Sequence, residues 1–148
     1  MFVAVVLLSS GSAHARTSTW TGAKPETVGQ NICFYSNSLG GGIQISTGAA
    51  AACSNGGYVD ATLVWDTAGN KNVAITGFQT AAGQISGCAV RTMDAFGNPS
   101  STVNFPVFGL NWSTVTAAIT LPLGGVSHVE CRMNNSAAKL LRIDYGTP

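Results

Sequence analysis

From Tyr58 to Trp65 the residues Val59, Ala61, Leu63 and Trp65 share one parity. A run of period two, rich in Val, Ile, Thr and aromatics, is the mark of a half-buried β-strand. The pattern recurs along the chain. Ile32 and Phe34 alternate with Cys33 and Tyr35 between Gln30 and Ser36, and Ile43 with Ile45 between Gly42 and Thr47. Val73 and Ile75 begin another run, followed by Cys88, Val90 and Thr92, then by Val103, Phe105 and Val107. Val115, Ala117, Ile119 and Leu121 alternate after Trp112. Val129, Cys131 and Met133 do so later, and Leu141, Ile143 and Tyr145 close the chain.

Clusters of Gly, Asn and Ser separate these runs, as turns require. The spacing predicts an all-β protein of about eight to ten short strands, an antiparallel β-sandwich of jelly-roll-like or Greek-key connection. Thr47–Ala52 is the best helix candidate and is too short to hold alone. The immunoglobulin pattern does not fit. Trp65 does follow Cys53 at a suitable distance, but Ser86 and Val129 stand where a tyrosine corner needs Tyr.

The first residues, MFVAVVLLSSGSAHA, have the order of a secretory signal: an apolar run from Phe2 to Leu8, then Ala13-His14-Ala15 as a cleavage site. No Lys or Arg precedes the run. It is too short to span a membrane, which takes about 20 apolar residues. We expect residues 1–15 to be a cleaved signal peptide and residues 16–148 to form one sandwich domain, secreted or periplasmic. Four cysteines agree with that compartment. Cys33, Cys53, Cys88 and Cys131 stand 20, 35 and 43 residues apart, too far for the close Cys pairs of a zinc site. An even count in an exported chain reads as two disulfides, and sequential pairing, Cys33–Cys53 and Cys88–Cys131, is the expectation.

Charge excludes several partners. Only 9% of residues are charged, with seven Lys or Arg against six Asp or Glu; a typical globular chain has about 25%. There is no basic field for nucleic acid and no Lys/Arg cluster for anionic lipid. No partner of either kind is expected once the signal is removed.

Two loops echo each other 28 residues apart: Asp66-Thr-Ala-Gly69-Asn70 and Asp94-Ala-Phe-Gly97-Asn98. A calcium loop needs further carboxylates and a late Glu, which both stretches lack. A turn needs an Asp to cap it and a Gly in the left-handed region, and both have these. We read them as turns. No metal ligand set and no cofactor motif is identified.

Catalysis has little to draw on. His128 is the one histidine beyond the signal, and no Gly-x-Ser-x-Gly elbow occurs. His128, Glu130 and Arg132 share a parity opposite Val129, Cys131 and Met133, which reads as a solvated strand face. A hairpin is expected to join this strand to the last one through Asn134, Asn135 and Ser136. In the favoured register Glu130 faces Arg142, His128 faces Asp144 and Cys131 faces Leu141, which keeps Glu130 away from Asp144.

Aromatics give the best functional hint. Trp112 with Asn111 in GLNWST, Phe96 at a loop tip, and Trp20 are candidate ligand-binding residues, because a flat ring beside amides suits the C–H face of a sugar. Asn111-Trp-Ser113 and Asn134-Asn-Ser136 also match N-glycosylation sequons. The reading that results is an exported, non-enzymatic sandwich that binds carbohydrate or a cell-surface component. A structural adhesin or filament subunit that takes a donated strand is the alternative. A hydrolase using His128 comes third. Nothing in the sequence fixes the oligomeric state.

Overall fold

A computed structural model describes residues 16–20, 24–25, 33–37, 42–45, 56–134 and 137–146. Eleven strands and no α-helix are found among them: β1 (Arg16–Thr19), β2 (Lys24–Pro25), β3 (Phe34–Asn37), β4 (Gly42–Ile45), β5 (Gly57–Leu63), β6 (Gly69–Gln79), β7 (Ile85–Met93), β8 (Pro99–Asn104), β9 (Asn111–Leu121), β10 (Val126–Met133) and β11 (Lys139–Gly146). Every pairing is antiparallel. One sheet runs β3-β4-β11-β6-β9 with β1 also against β11, and the other runs β2-β5-β10-β7-β8. The two sheets enclose one core, and the expected β-sandwich is borne out. Residues 1–15 and 46–55, which carry the expected signal, the short helix candidate and Cys53, lie outside the described residues.

Alternation places the core as the sequence implies. Val73 and Ile75 of β6, Val115, Ala117 and Ile119 of β9, and Val129, Cys131 and Met133 of β10 all point between the sheets. Trp65 packs on the core's margin with its ring edge-on to Tyr145, and its indole N–H donates to Ser127 Oγ at 2.6 Å. Trp20 is fully buried.

Some expectations are corrected. β10 and β11 do not form a hairpin: β10 pairs with β5 and β7, and β11 with β1, β4 and β6, in opposite sheets. Glu130 therefore faces Asp60 and Ala89, not Arg142. A bulge in β11 between Leu140 and Arg142 also shifts its parity, so Leu140 is buried in place of Leu141. Alternation records which face a residue takes but not which sheet a strand joins. The run through Phe105 and Val107 is not a strand. β8 ends at Asn104, and a loop then sends Phe105 and Phe108 into the core while Val107 stays exposed. Pro99 opens β8 at the sheet's edge beside a register irregularity, where a missing N–H is tolerated.

The disulfide Cys88–Cys131 is present, joining the neighbouring strands β7 and β10. It lies at the bulge between Glu130 and Arg132, where the regular ladder is interrupted. Cys33 is buried and disulfide-bonded. Of the two expected bridges, one is thus seen whole.

Of the two Asp-x-x-Gly-Asn loops, the second shows the expected turn in full. Asp94 Oδ1 accepts from the Phe96 and Asn98 backbone N–H groups at 2.9 Å, and the Asn98 side-chain amide donates to Asp94 Oδ2 at 3.0 Å. Gly97 takes φ of 84°, the left-handed region that glycine enters without steric cost. In the first loop Gly69 has φ of 100° and Asp66 pairs with Arg16 of β1. The Asn98 side chain and then its backbone amide, with lesser help from the Phe96 and Gly97 amides, hold the Asp94 carboxyl below the ordinary aspartate range against the opposing effect of burial. A depressed native pKa favours the ionised fold. The resulting stabilisation is present above the unfolded aspartate value and is lost as pH falls through the lower native one. In an NMR titration Asp94 should have its midpoint below that of an unstructured peptide, and Asn98→Ala should move it upward. Coincident midpoints for native protein and peptide would refute this.

Candidate carbohydrate-binding face

Strand parity leaves one residue in two on the outside, and on the six-stranded sheet those residues form a continuous, largely polar strip. β6 and β9 pair without interruption from Gly69↔Leu121 to Gln79↔Asn111. Their outward residues meet directly: Phe78 with Trp112, Thr76 with Thr114, Ala74 with Thr116, Asn72 with Ala118 and Asn70 with Thr120. From Phe78 to Asn70 the strip is roughly 27 Å long at about 3.4 Å per residue. The Thr76 and Thr114 hydroxyls are 3.0 Å apart, and Thr120 Oγ1 donates to Asn70 Oδ1 at 3.0 Å. Small hydroxyl and amide side chains leave the strip low and rich in hydrogen-bonding groups.

One end of it is aromatic. Trp112 is 54% exposed and lies against Phe78, with ring centroids 5.2 Å apart and planes tilted by 52°. Lys139 Nζ stands 5.7 Å from the Phe78 ring, held there because β11 places Lys139 opposite Phe78. The next rows on β11 carry Arg142 and Asp144, paired at 2.9 Å, and Thr17 of β1 donates to Asp144 at 2.7 Å. Gly77 makes this end possible. A Cβ there would come within 2.9 Å of both Ile85 and Phe108, so glycine lets the Phe108 ring pack beneath the strand that carries Phe78.

At the other end the free edges of β8 and β9 flank a cleft of about 420 Å³. Asn70, Asn72, Ser101 and Thr120 are among its polar residues, and Lys71 reaches it from the inner face, bonded to Thr67 Oγ1 at 2.8 Å. Lys71 is only 3% exposed.

Of the four ligand-site residues expected from sequence, two are consecutive in β9, Trp112 opposite Phe78 and Asn111 opposite the buried Gln79. Trp112 and Asn111 are adjacent at the aromatic end, where Asn111 adopts φ of 62°. Phe96 is 91% exposed but belongs to the β7–β8 turn, beside the β9–β10 turn at the far end of β9. Trp20 is a correction: wholly buried, its ring belongs to the core and is closed to a ligand. Phe78 and Lys139 were missed. Phe78 has the parity opposite to Val73 and Ile75, so its outward position was legible; its meeting with Trp112 depends on the β6–β9 register.

His128 and Glu130 lie on the outer face of the other sheet, and here too the expectation is corrected. Glu130 is only 8% exposed, and its Oε2 stands 3.2 Å from Arg91 Nη2. His128 is half-buried, while Arg132 is exposed over the Tyr58 ring at 5.7 Å. The row is thus only partly solvated. The reason is the neighbours: β10 is a central strand, and side chains from β5 and β7 cover it on both sides.

No protein-family model matches the chain, and no curated protein matches it either. Solved structures do. The C-terminal CBM6 of LamC, a marine laminarinase of Zobellia galactanivorans, matches over 90% of this chain and 100% of its own, with a TM-score of 0.54 and 12% identity. The N-terminal CBM22-1–GH10 modules of xylanase 10B from Clostridium thermocellum, complexed with xylohexaose, match over 88% of this chain and 27% of their own length, with a TM-score of 0.55 and 11% identity. An exo-β-1,3-galactanase of Phanerochaete chrysosporium with galactose gives 0.53 at 19% identity, over 90% of this chain and 29% of the enzyme. At such identities the likeness establishes the fold. The chain is a two-sheet β-sandwich similar in architecture to carbohydrate-binding modules.

Proposed function

We propose that this protein is an exported, non-catalytic module that binds carbohydrate along the outer strip of β6 and β9. The observation that carries the reading is the exposed Trp112, packed on Phe78, at the end of a strip of Thr and Asn side chains. A sugar ring stacks its apolar face on Trp112. The following units lie along the strip, and their hydroxyls bond to Thr114, Thr116, Asn72 and Asn70. Architectural similarity to carbohydrate-binding modules supports this. Export is supported by the Cys88–Cys131 disulfide, since disulfides persist in oxidising compartments. No helix among the described residues is long and apolar enough to cross a membrane. We also propose Cys33–Cys53 as the second bridge, removal of residues 1–15, and one domain from residue 16 onward.

A glycan array with the oxidised protein, followed by calorimetry on the best ligand, tests the reading. Trp112→Ala should weaken that ligand by about 1–3 kcal/mol, the range seen when a stacking aromatic is removed, with thermal stability nearly unchanged because the ring is half exposed. An array without a hit, or Trp112→Ala binding as tightly as the parent, would reject it.

A second reading rests on one observation. β9 is an edge strand of eleven residues, NWSTVTAAITL, with no charge and no proline. Natural edges are usually blunted by one or the other. An edge of this kind accepts an added strand, as an adhesin-type subunit would require. Concentration-dependent association on size-exclusion chromatography, abolished by Thr116→Pro, would favour assembly over sugar binding.

A further inference from the structure

The opposite face of the sandwich carries a second constellation, independent of the aromatic strip. The register β5–β10 sets Asp60 directly opposite Glu130, and His128 lies two positions along β10, opposite Thr62. One ligand atom from each of Asp60, His128 and Glu130 lies within 4.8 Å of the other two. We propose that these three side chains form a binding site for a divalent cation of the zinc class.

Carboxylates directly across an antiparallel pair repel each other, and both of these are partly withdrawn from water. Glu130 is 8% exposed, and Asp60 Oδ1 is shielded from solvent. A cation bridging the two would coordinate both at once, in exchange for the partners that each already has. The imidazole selects the kind of cation. An oxygen-only set suits calcium or magnesium, whereas one imidazole with two carboxylates suits zinc and its first-row neighbours. Ligands about 2.0–2.1 Å from a tetrahedral ion stand roughly 3.4 Å apart, so small side-chain adjustments complete the site. All three residues project from strands, and the Cys88–Cys131 bridge ties β10 to β7 one residue beyond Glu130. Rigid strands are better ligand supports than loops. Asp60 and His128 remain half exposed, which gives the ion an entry path and leaves its last position to water or a ligand oxygen.

Arg91 is the competitor at Glu130. Its guanidinium faces Glu130 at 3.2 Å, and its side chain is 48% exposed, free to swing outward when an ion arrives. Neutralising Arg91 should therefore tighten the site, an effect that adventitious metal on surface histidine would not show.

The test is calorimetry of the oxidised, chelator-treated full chain with zinc chloride, against calcium and magnesium chloride. One equivalent of zinc should bind, with calcium and magnesium much weaker, and zinc should raise the thermal midpoint. His128→Ala should weaken binding by more than about 100-fold, beyond the loss from an outer-shell partner. Arg91→Gln should tighten it several-fold. Glu130→Gln should also abolish it. Because Glu130 is buried and that variant could misfold, His128→Ala at its half-exposed position carries the decision, with circular dichroism as the folding control. Zinc affinity equal in His128→Ala and parent, or equal affinity for calcium, would overturn the assignment.

Discussion

Replacing both Cys88 and Cys131 with alanine is expected to lower the unfolding free energy by about 4 kcal/mol, the chain-entropy value for a loop of this span. The two cysteines are 43 residues apart in sequence, so the bridge removes much freedom from the unfolded chain. Its position makes the native side matter as well. At the bulge between Glu130 and Arg132 the β7–β10 ladder is interrupted, and the covalent link holds the two strands together at that point. Both sulfurs are buried, so the replacement also leaves a small void. Against a total stability of roughly 5–15 kcal/mol this is a large fraction. Urea unfolding of the double variant, with its slope checked for two-state behaviour, measures it. A loss below about 1 kcal/mol would mean that the bridge constrains little beyond what sheet pairing already fixes.

Gln79 is expected to be nearly as sensitive. It is the last residue of β6, wholly buried, and both ends of its amide are used. Nε2 donates to the Phe108 carbonyl at 2.8 Å, and Oε1 accepts from the Ile85 N–H at 3.1 Å. One side chain thus ties the end of β6 to the start of β7 and to the loop that brings Phe108 into the core. Gln79→Leu keeps the volume and removes both bonds, leaving a buried carbonyl and a buried N–H without their partner. At about 1–3 kcal/mol for each orphaned group, the loss should be about 3–5 kcal/mol. The same urea experiment reads it. A variant within about 1 kcal/mol of the parent would show that water or a neighbour satisfies both groups.

Alternation alone settled much of the architecture. Parity placed Val73, Ile75, Val115, Ala117, Ile119, Val129 and Met133 on inner faces because side chains in a strand must take turns. The same rule left Trp112, Thr114 and Thr116 outside. Sequential pairing, one of three connectivities that four cysteines allow, anticipated Cys88–Cys131, and the Asp94 loop was legible because its hydrogen bonds are local.

What the sequence did not contain was the identity of neighbouring strands. Side-chain period is identical whether β11 pairs with β10 or with β6, and only the packing of two whole sheets chooses between them. That choice decided both sites. It set Trp112 against Phe78, whose partnership spans the β6–β9 register, and it took Trp20 into the core where the sequence suggested a ligand ring. It also put Asp60 across from Glu130, although the two are far apart in the chain and neither lies in a recognisable motif. Local chemistry determined the strands and turns of this protein; the long-range pairing of strands, which no local period encodes, determined its surfaces.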